Sequence, residues 1–497
     1  MDVLSGVYVS PAWQWVDTWS LLMFALVLLV VSEYVRSRRP SNFPPGPWAL
    51  PKVTYMLISL LLFTCQLAQK YGNIYSLKMG PKWMVVLNGL STLQEGLLTK
   101  GDILADRPVV PLHDDILFAP RQQGLVFTNG HIWKQQRRFT LFTLKSLGVG
   151  KKSLESPILT EFIYMSNEIA NQKGKPFSPI LIIRNGVSNI ICSLVFGHRF
   201  EYGNEKFVKL IKLFDSAFQI EASVWAEVLH LFWPHQTLKK IYGEVINFVK
   251  TEIKKHKEDW DPSEPRNFID CYLKEIHRVK TDGEVDTDFH EDNLVMCSFD
   301  LFGAGTETTS TTLLWALLYM ATYTEIQEKV QAEIDAVLGQ SRQPSMEDRA
   351  NLPYTDAVIH EVQRMGNIAP LSVPHVTNRE LQLEGYTIPK GVTVIPNLTS
   401  VLFDKKEWET PDTFNPRHFL NEEGKFVKPA AFIPFSAGKR VCLGENLARM
   451  ELFLLFTSLL QCFTFSMPPG VKSVLTPCFG LTLSPSPYEI CATSRGI

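Results

Sequence analysis

Ten residues near the C-terminal end constrain this chain more than any other feature: Phe435-Ser436-Ala437-Gly438-Lys439-Arg440-Val441-Cys442-Leu443-Gly444. They place one cysteine in a setting suited to holding a thiolate against a metal. Gly438 and Gly444 permit φ > 0 turns and the close backbone approach that a flat cofactor needs. Arg440 supplies a fixed cation for an anionic cofactor edge. The residues directly after, Glu445-Asn446-Leu447-Ala448-Arg449-Met450-Glu451-Leu452, read as a helix start. That puts the sulfur near free backbone N–H groups and the positive helix end, which favour thiolate over thiol. A lone cysteine is more often a small buried hydrophobe; ten residues of these types in this order are far more specific.

The stretch resembles the haem-binding loop of the cytochrome P450 superfamily, Phe-x-x-Gly-x-Arg-x-Cys-x-Gly, with every defining position present. By that resemblance Cys442 is the axial thiolate ligand of the iron of haem b, a ligand type that favours O–O cleavage. Phe435, Gly438, Arg440 and Gly444 then belong to the same cofactor loop.

The ends of the chain differ in character. Trp19 to Val31 is nearly all apolar, and Arg36, Arg38 and Arg39 follow it. Counted from Trp13 to Val35, with Trp13, Trp15, Trp19 and Tyr34 as interface residues, the run reaches the length of a membrane span. Cations after the run and none before it predict an uncleaved anchor, with the following chain on the cytosolic side. Phe43-Pro44-Pro45-Gly46-Pro47-Trp48 cannot continue a helix and reads as a stiff linker. The expected organisation is an anchor at 1–39, a proline-rich hinge at 40–51 and a catalytic domain at 52–497. A net charge of −2 gives no global basic field to attract nucleic acid. The eight cysteines are scattered without CxxC pairs, which argues against a disulfide framework or zinc site.

Helical patterning dominates the globular part, over Leu294 to Tyr323, Glu325 to Leu338, Tyr354 to Met365 and Glu445 to Gln461. Short strands are predicted near Ile74 to Leu77, Trp83 to Leu87, Leu381 to Ile388 and Val392 to Pro396. The last two flank Pro389-Lys390-Gly391 as a hairpin turn. The fold class is mainly α with small β-sheets, a single large haem-binding domain behind an N-terminal membrane anchor. No GxGxxG opens a βαβ unit, so the chain is not expected to bind NADPH itself.

Other motifs agree with the loop. In Ala304-Gly305-Thr306-Glu307-Thr308-Thr309, mid-helix glycines at 303 and 305 cost ~1 kcal/mol each relative to alanine. They would let the helix open and a cofactor face approach. The Thr308 hydroxyl and the Glu307 carboxyl could relay protons; alone, hydroxyls back-bonding inside a buried helix are the commoner case. Beside Cys442 the segment resembles the family's oxygen-activation motif, which assigns catalysis to Thr308 and Glu307. Glu361 and Arg364 lie three apart on one helix face; by resemblance they form a buried lock for the cysteine loop, completed by Phe414 to Phe419. There His418 stands where many relatives have arginine, a weaker and partly pH-sensitive partner. Trp133-Lys134-Gln135-Gln136-Arg137 resembles the family's Trp-x-x-x-Arg helix, and His375 and Arg107 match further donors to the haem propionates. For any one of these cations a surface salt bridge is the default alternative. Lys134, Arg138, Lys145, Lys151, Lys152 and Lys439 form either a docking face for an acidic electron donor or an ordinary solvated face.

The resemblance, to microsomal family 2 enzymes and to their J-type and fish-type members, implies a monooxygenase of the endoplasmic reticulum membrane. It would insert one oxygen atom from O2 into lipophilic substrates, fatty acids such as arachidonate or xenobiotics. Electrons would come from NADPH through NADPH-cytochrome P450 reductase, with cytochrome b5 as a possible second partner. Pocket segments by the same analogy are Val109 to Phe118, Phe299 to Ala304, Ile368 to Val373 and Cys478 to Leu481, where core packing would give the same composition. Two stretches depart from the family pattern: an uncharged apolar run from Val53 to Cys65, and a shortened region at Val228 to His235. Two other readings stay open, a haem-thiolate isomerase acting on lipid peroxides and a non-catalytic haem or lipid carrier. Asn397-Leu398-Thr399 matches a glycosylation acceptor, with use not expected on the cytosolic side.

Overall fold

One helix, Glu291–Thr322, runs through the protein with protein on all sides, and the other elements are best placed relative to it. The computed structural model describes residues 18–37, 39–47, 66–79, 82–109, 123–221, 233–283 and 287–496. Its longer helices, in chain order, begin with α1 (Thr18–Ser37), α2 (Gly130–Ser146), α3 (Glu155–Ala170), α4 (Ile180–Val195) and α5 (Glu205–Glu221). They continue with α6 (Trp233–Glu258), α7 (Phe268–Thr281), α8 (Glu291–Thr322), α9 (Thr324–Val337), α10 (Pro353–Gly366) and α11 (Glu445–Cys462). Every residue of α8 from 309 to 321 is buried, as expected of a helix apolar on all faces. Its start is fixed by His290, whose ring accepts from the Asn293 N–H, and by Glu291 and Asp292 in the first turn.

α4, α6, α10 and α11 pack around α8. Its two glycines serve that packing: a Cβ on Gly303 would lie 2.9 Å from the Phe214 ring on α5, and one on Gly305 would lie 2.5 Å from Ile191 Cδ1 on α4. The expected opening of the helix toward a cofactor is therefore replaced by close helix–helix approach. Ala304, between them, is the exposed residue.

The strands are β1 (Ile74–Met79), β2 (Lys82–Leu87), β3 (His375–Val376), β4 (Leu381–Leu383), β5 (Tyr386–Ile388), β6 (Thr393–Pro396), β7 (Phe463–Ser466), β8 (Pro477–Phe479), β9 (Leu483–Pro485) and β10 (Cys491–Ser494). β1, β2, β6 and β3 form one sheet in that order, β2 and β6 parallel and the other pairs antiparallel. The predicted hairpin is corrected here. The stretch 381–388 is itself the hairpin β4–β5, turning at Glu384 and Gly385, both at positive φ, as a type I′ turn requires. The Gly391 N–H bonds Thr377 O instead and sends β6 to β2 and β3.

The proline segment is stitched to the sheet rather than standing free as a linker. Ser76 donates its hydroxyl to Pro44 O and its N–H to Pro45 O, and Phe43 packs edge-on against Trp83 at 5.5 Å. A Cβ on Gly46 would overlap the Ser76 carbonyl oxygen at 1.9 Å.

α1 exposes Trp19, Leu21, Leu22, Met23, Phe24, Leu26, Val27, Leu28 and Val31. Among the described residues, no helix is long and apolar enough to cross a membrane. The unusual run 53–65 lies outside the described residues, as does 228–232 of the second unusual stretch. The seven described cysteines are all free. Asn397 of the glycosylation motif is fully buried, with its amide donating to Asn88 Oδ1 at 2.8 Å.

Candidate active site

The loop carrying Cys442 is shaped by two residues at positive φ, Ser436 (62°) and Gly438 (79°). A Cβ on Gly438 would sit 2.0 Å from Leu97 O, so only glycine allows the loop to lie on that backbone. The tight approach is thus to Leu97, not to a cofactor face. Gly444 has no such constraint: its φ is −88°, and a Cβ there would meet Cys442 Sγ only at 4.0 Å. Gly444 instead caps α11. The amides of Gly444 and Glu445 donate to the Cys442 sulfur, and the Cys442 N–H closes the loop on Phe435 O at 3.1 Å. The sulfur reaches an open space although protein surrounds it on most sides. Enclosure pushes its thiol up from the ordinary range and Glu445 adds to this, while the two amides and Arg137 act the other way.

Arg137 donates to Val441 O at 2.5 Å and so ties α2 to the cysteine loop. Trp133, one turn earlier, is buried under Arg440, whose guanidinium lies 3.9 Å from the indole centroid. Arg440 also donates to Ala105 O at 2.6 Å and to the carbonyls of Leu125, Val126 and Thr128. Arg107 bonds Val373 O and Pro374 O at 2.7 and 2.8 Å, and its buried Nε has no partner. His375, on β3, is bonded through Nδ1 to Leu104 O.

These groups gather cations that, among the described residues, no carboxylate hydrogen-bonds; Asp106 acts on Arg440 by charge alone. Burial first, then Arg107 and Arg137, pulls Arg440 down to about 8. Burial and Arg137 lower Arg107 to about 9. Burial and then Arg107 lower His375 to about 3, so its ring is neutral. A buried set of positive charges depressed by one another is a site that an anionic group would relieve.

The segment 124–128 links this cluster to α8. Leu125 and Val126 donate their N–H groups to Asp300 Oδ2 at 2.6 and 3.1 Å, Gly124 donates to Asn293, and the carbonyls face Arg440. One turn past Asp300, Ala304 is exposed, and the Thr308 hydroxyl donates to Ala304 O at 2.8 Å with its oxygen accessible. Helix and cysteine loop are therefore joined through this segment, and Ala304, Thr308 and Cys442 are each accessible. Val373 and Leu481, from the segments expected to line a pocket, are also exposed apolar residues. Residues 110–118 lie outside the described ones.

Glu307 does not join Thr308. It is buried, accepts hydrogen bonds from Thr482 and Thr311 at 2.9 and 3.2 Å, and faces Arg184 of α4 at 3.6 Å. Arg184 escaped the sequence reading, although a charge inside the apolar run Ile180–Val195 is itself a signal.

Glu361 and Arg364 form the expected lock. Both are fully buried, paired at 2.7 and 2.8 Å, and Arg364 also donates to Leu402 O, Pro411 O and Thr413 O. His418 completes it, with its Nδ1 at 3.2 and 3.3 Å from the two Glu361 oxygens. Of the six basic residues on the candidate docking face all are exposed; Lys152 pairs with Glu347 and Lys439 with Asp102.

Comparison with known proteins decides what this arrangement belongs to. The family model described as Cytochrome P450 matches residues 43–492. The chain belongs to the cytochrome P450 family. It is 47% identical to the Homo sapiens protein named Cytochrome P450 2J2 over 502 residues, covering 99% of each. It is 47% identical to Cytochrome P450 2J1 of Oryctolagus cuniculus, over 96% of each, and 44% identical to Homo sapiens Cytochrome P450 2D6, over 96% of this chain and 98% of that one. As a cytochrome P450 it is a monooxygenase, and its family cofactor is haem b with a cysteine thiolate ligand. The cysteine, the cation cluster and the accessible helix face fit that group, which is flat, anionic at one edge and ligated at its iron.

Proposed function

We propose that Cys442 is the thiolate ligand, and that this protein oxygenates lipophilic substrates at the cleft between α8 and the cysteine loop. The observation that carries the reading is the sulfur itself, accessible yet enclosed, bonded by two amides at the head of α11 beside a cluster of buried cations. Among the described residues no group of three or more His, Cys, Asp or Glu side chains could hold a bare metal ion. Arg107, Arg440, Trp133, Arg137 and His375 would hold the cofactor's carboxylates. His375, neutral and donating through Nδ1, needs either an incoming proton on its other nitrogen or a bridging water to do so. Haem iron supplies O2 binding and transfer of one oxygen atom to substrate.

The chain's own residues then have separate tasks. Thr308 presents an oxygen with free lone pairs at the cleft and can pass on a proton; Glu307, one residue away, is the neighbouring titratable group. Exposed Val373, Leu481 and Ala304 give the cleft an apolar wall that suits fatty acids or lipophilic xenobiotics. Lys134, Arg138, Lys145 and Lys151 are exposed on and after α2, and none makes an ion pair among the described residues. They suit an acidic redox partner, NADPH-cytochrome P450 reductase or cytochrome b5. The exposed apolar side chains of α1 suit anchoring in the endoplasmic reticulum membrane, with the domain on the cytosolic side. The organisation proposed is an anchor at 1–39, a hinge segment at 40–51 and a catalytic domain from 52 to 497.

The test is the carbon monoxide difference spectrum of the reduced protein, beside that of Cys442→Ala. The thiolate band should be present in the first and absent in the second. A retained thiolate band in Cys442→Ala overturns the assignment.

A further inference from the structure

Glu307 is one end of a chain of charges that reaches the edge of the fold. Arg184 Nη2, on α4, lies 2.7 Å from Asp215 Oδ1 and 3.6 Å from Glu307 Oε2. Arg184 and Glu307 are each 8% exposed in their side chains, whereas Asp215, on α5, is 31% exposed. The two oxygens of Glu307 are held differently. Oε1 accepts from Thr482 and Thr311, while Oε2 meets the guanidinium at a distance beyond a hydrogen bond. One cation thus serves two carboxylates, bonding the outer and holding the inner by charge. Asp215 and Glu307 keep Arg184 charged: burial pulls it down, but the bond to Asp215 and the charges of Glu307 and Asp215 outweigh that, and the guanidinium ends above its usual range. Beside Asp215, Phe214 seats against Gly303 of α8, so α5, α4 and α8 meet at this point.

An unpaired carboxylate at this depth would be costly. Among the described residues the cation paired with Glu307 is Arg184, and nothing in the lock or the cofactor cluster uses it. We propose that Arg184 is the positioning residue for Glu307: it holds the Glu307 carboxylate in place beside Thr308's turn of the helix, with Asp215 as its outer support. The inference rests on the reading of Glu307 as a participant in oxygen activation. Arg184 touches neither substrate nor cofactor and acts only through Glu307.

The experiment is a double-mutant cycle in the full chain loaded with cofactor. The first readout is peroxide released per substrate oxidised, for Arg184→Gln, Glu307→Gln and the pair. Arg184→Gln should raise that ratio about threefold or more, the lower range of coupling between contacting residues. Arg184→Lys should return it most of the way, and the pair should behave as Glu307→Gln alone. The second readout is the unfolding equilibrium, where the same pair should be non-additive by about threefold or more. Additive effects in both readouts overturn the inference, as does failure of Arg184→Lys to rescue a folded protein. If Glu307→Gln leaves the peroxide ratio unchanged, the reading of Glu307 in oxygen activation falls, and with it the functional part of the inference. A non-additive unfolding cycle in that case would show the tether to be structural only. Should Arg184→Gln not fold, Asp215→Asn at the exposed end probes the same chain, and it should couple to Arg184→Lys in unfolding.

Discussion

Replacing Glu361 by Gln removes one charge from the lock and changes almost no volume. Glu361 and Arg364 are both completely buried. The carboxylate takes both bonds of the Arg364 fork, the Asn415 N–H at 2.8 Å and the His418 ring. An amide can accept on one oxygen only, and its NH2 faces a donor wherever it turns. Arg364 keeps its three carbonyl partners and its place near the Trp408 and Phe403 rings, but the charge is left uncompensated. Breaking one side of a buried pair costs about 3–5 kcal/mol. Melting entropy of ~2.1 cal/mol/K per residue, over a domain of this size, makes that a drop of about 3–5 °C in the unfolding midpoint. The assay is thermal unfolding at one heating rate, with Arg278→Ala as a control. Arg278 is half exposed and pairs with Glu275 and Asp282 at the surface, so its loss should move the midpoint by less than about 1 °C. A Glu361→Gln midpoint no lower than that of Arg278→Ala refutes the argument that this buried pair stabilises the fold.

Three further outcomes are expected. Thr308→Ala should leave the carbon monoxide spectrum intact and raise peroxide relative to product, whereas unchanged coupling removes Thr308 from proton delivery. Gly438→Ala should lose cofactor, because its Cβ would overlap Leu97 O and its φ is +79°; absorbance of purified protein per chain measures this. Glu451, on α11, is fully buried, and burial raises it to about 8 although the Thr309 hydroxyl acts the other way. Between its unfolded value and about 8 the fold holds a proton that the unfolded chain lacks, so stability falls as pH rises by up to ~1.4 kcal/mol per unit. Glu451→Gln should remove that slope from denaturant titrations between pH 5 and 8.

The shape of the cysteine loop was legible because its information is local: ten consecutive residues carry the cysteine, the turn glycine and the approach to the helix start. The long helices were legible too, because burial on all sides leaves an unbroken apolar run; Leu294 to Tyr323 was expected and Glu291–Thr322 is found. What could not be read is what depends on distant partners. Gly303 and Gly305 look like a distortion until Phe214 and Ile191 arrive against them. Gly444 looks like a turn glycine, but it is an α11 cap with ordinary φ. The 389–391 turn was misplaced because β6 finds its neighbours in β2, hundreds of residues away, and in β3, on the far side of the β4–β5 hairpin. Glu307 and Thr308 are adjacent in sequence, yet a helix turns successive side chains to different neighbours, and only the fold shows Arg184 waiting on one side.

The same residues fold the cysteine loop and prepare the cofactor site, which couples the two. Arg440 fixes the 124–128 segment through carbonyls more than 300 residues away, yet carbonyls cannot neutralise it. Arg107 is likewise bonded to two carbonyls while its Nε stays unpartnered. Two guanidiniums pulled toward neutral pH by burial and mutual repulsion are a destabilising term in the chain alone. A ligand bringing two carboxylates removes that term, so part of its binding energy becomes folding energy, as for any group bound by the native state alone. The lock at Glu361 and the cation cluster therefore act in sequence. The first fixes the backbone from Leu402 to His418, and the second would be most stable with an anionic group lying on it.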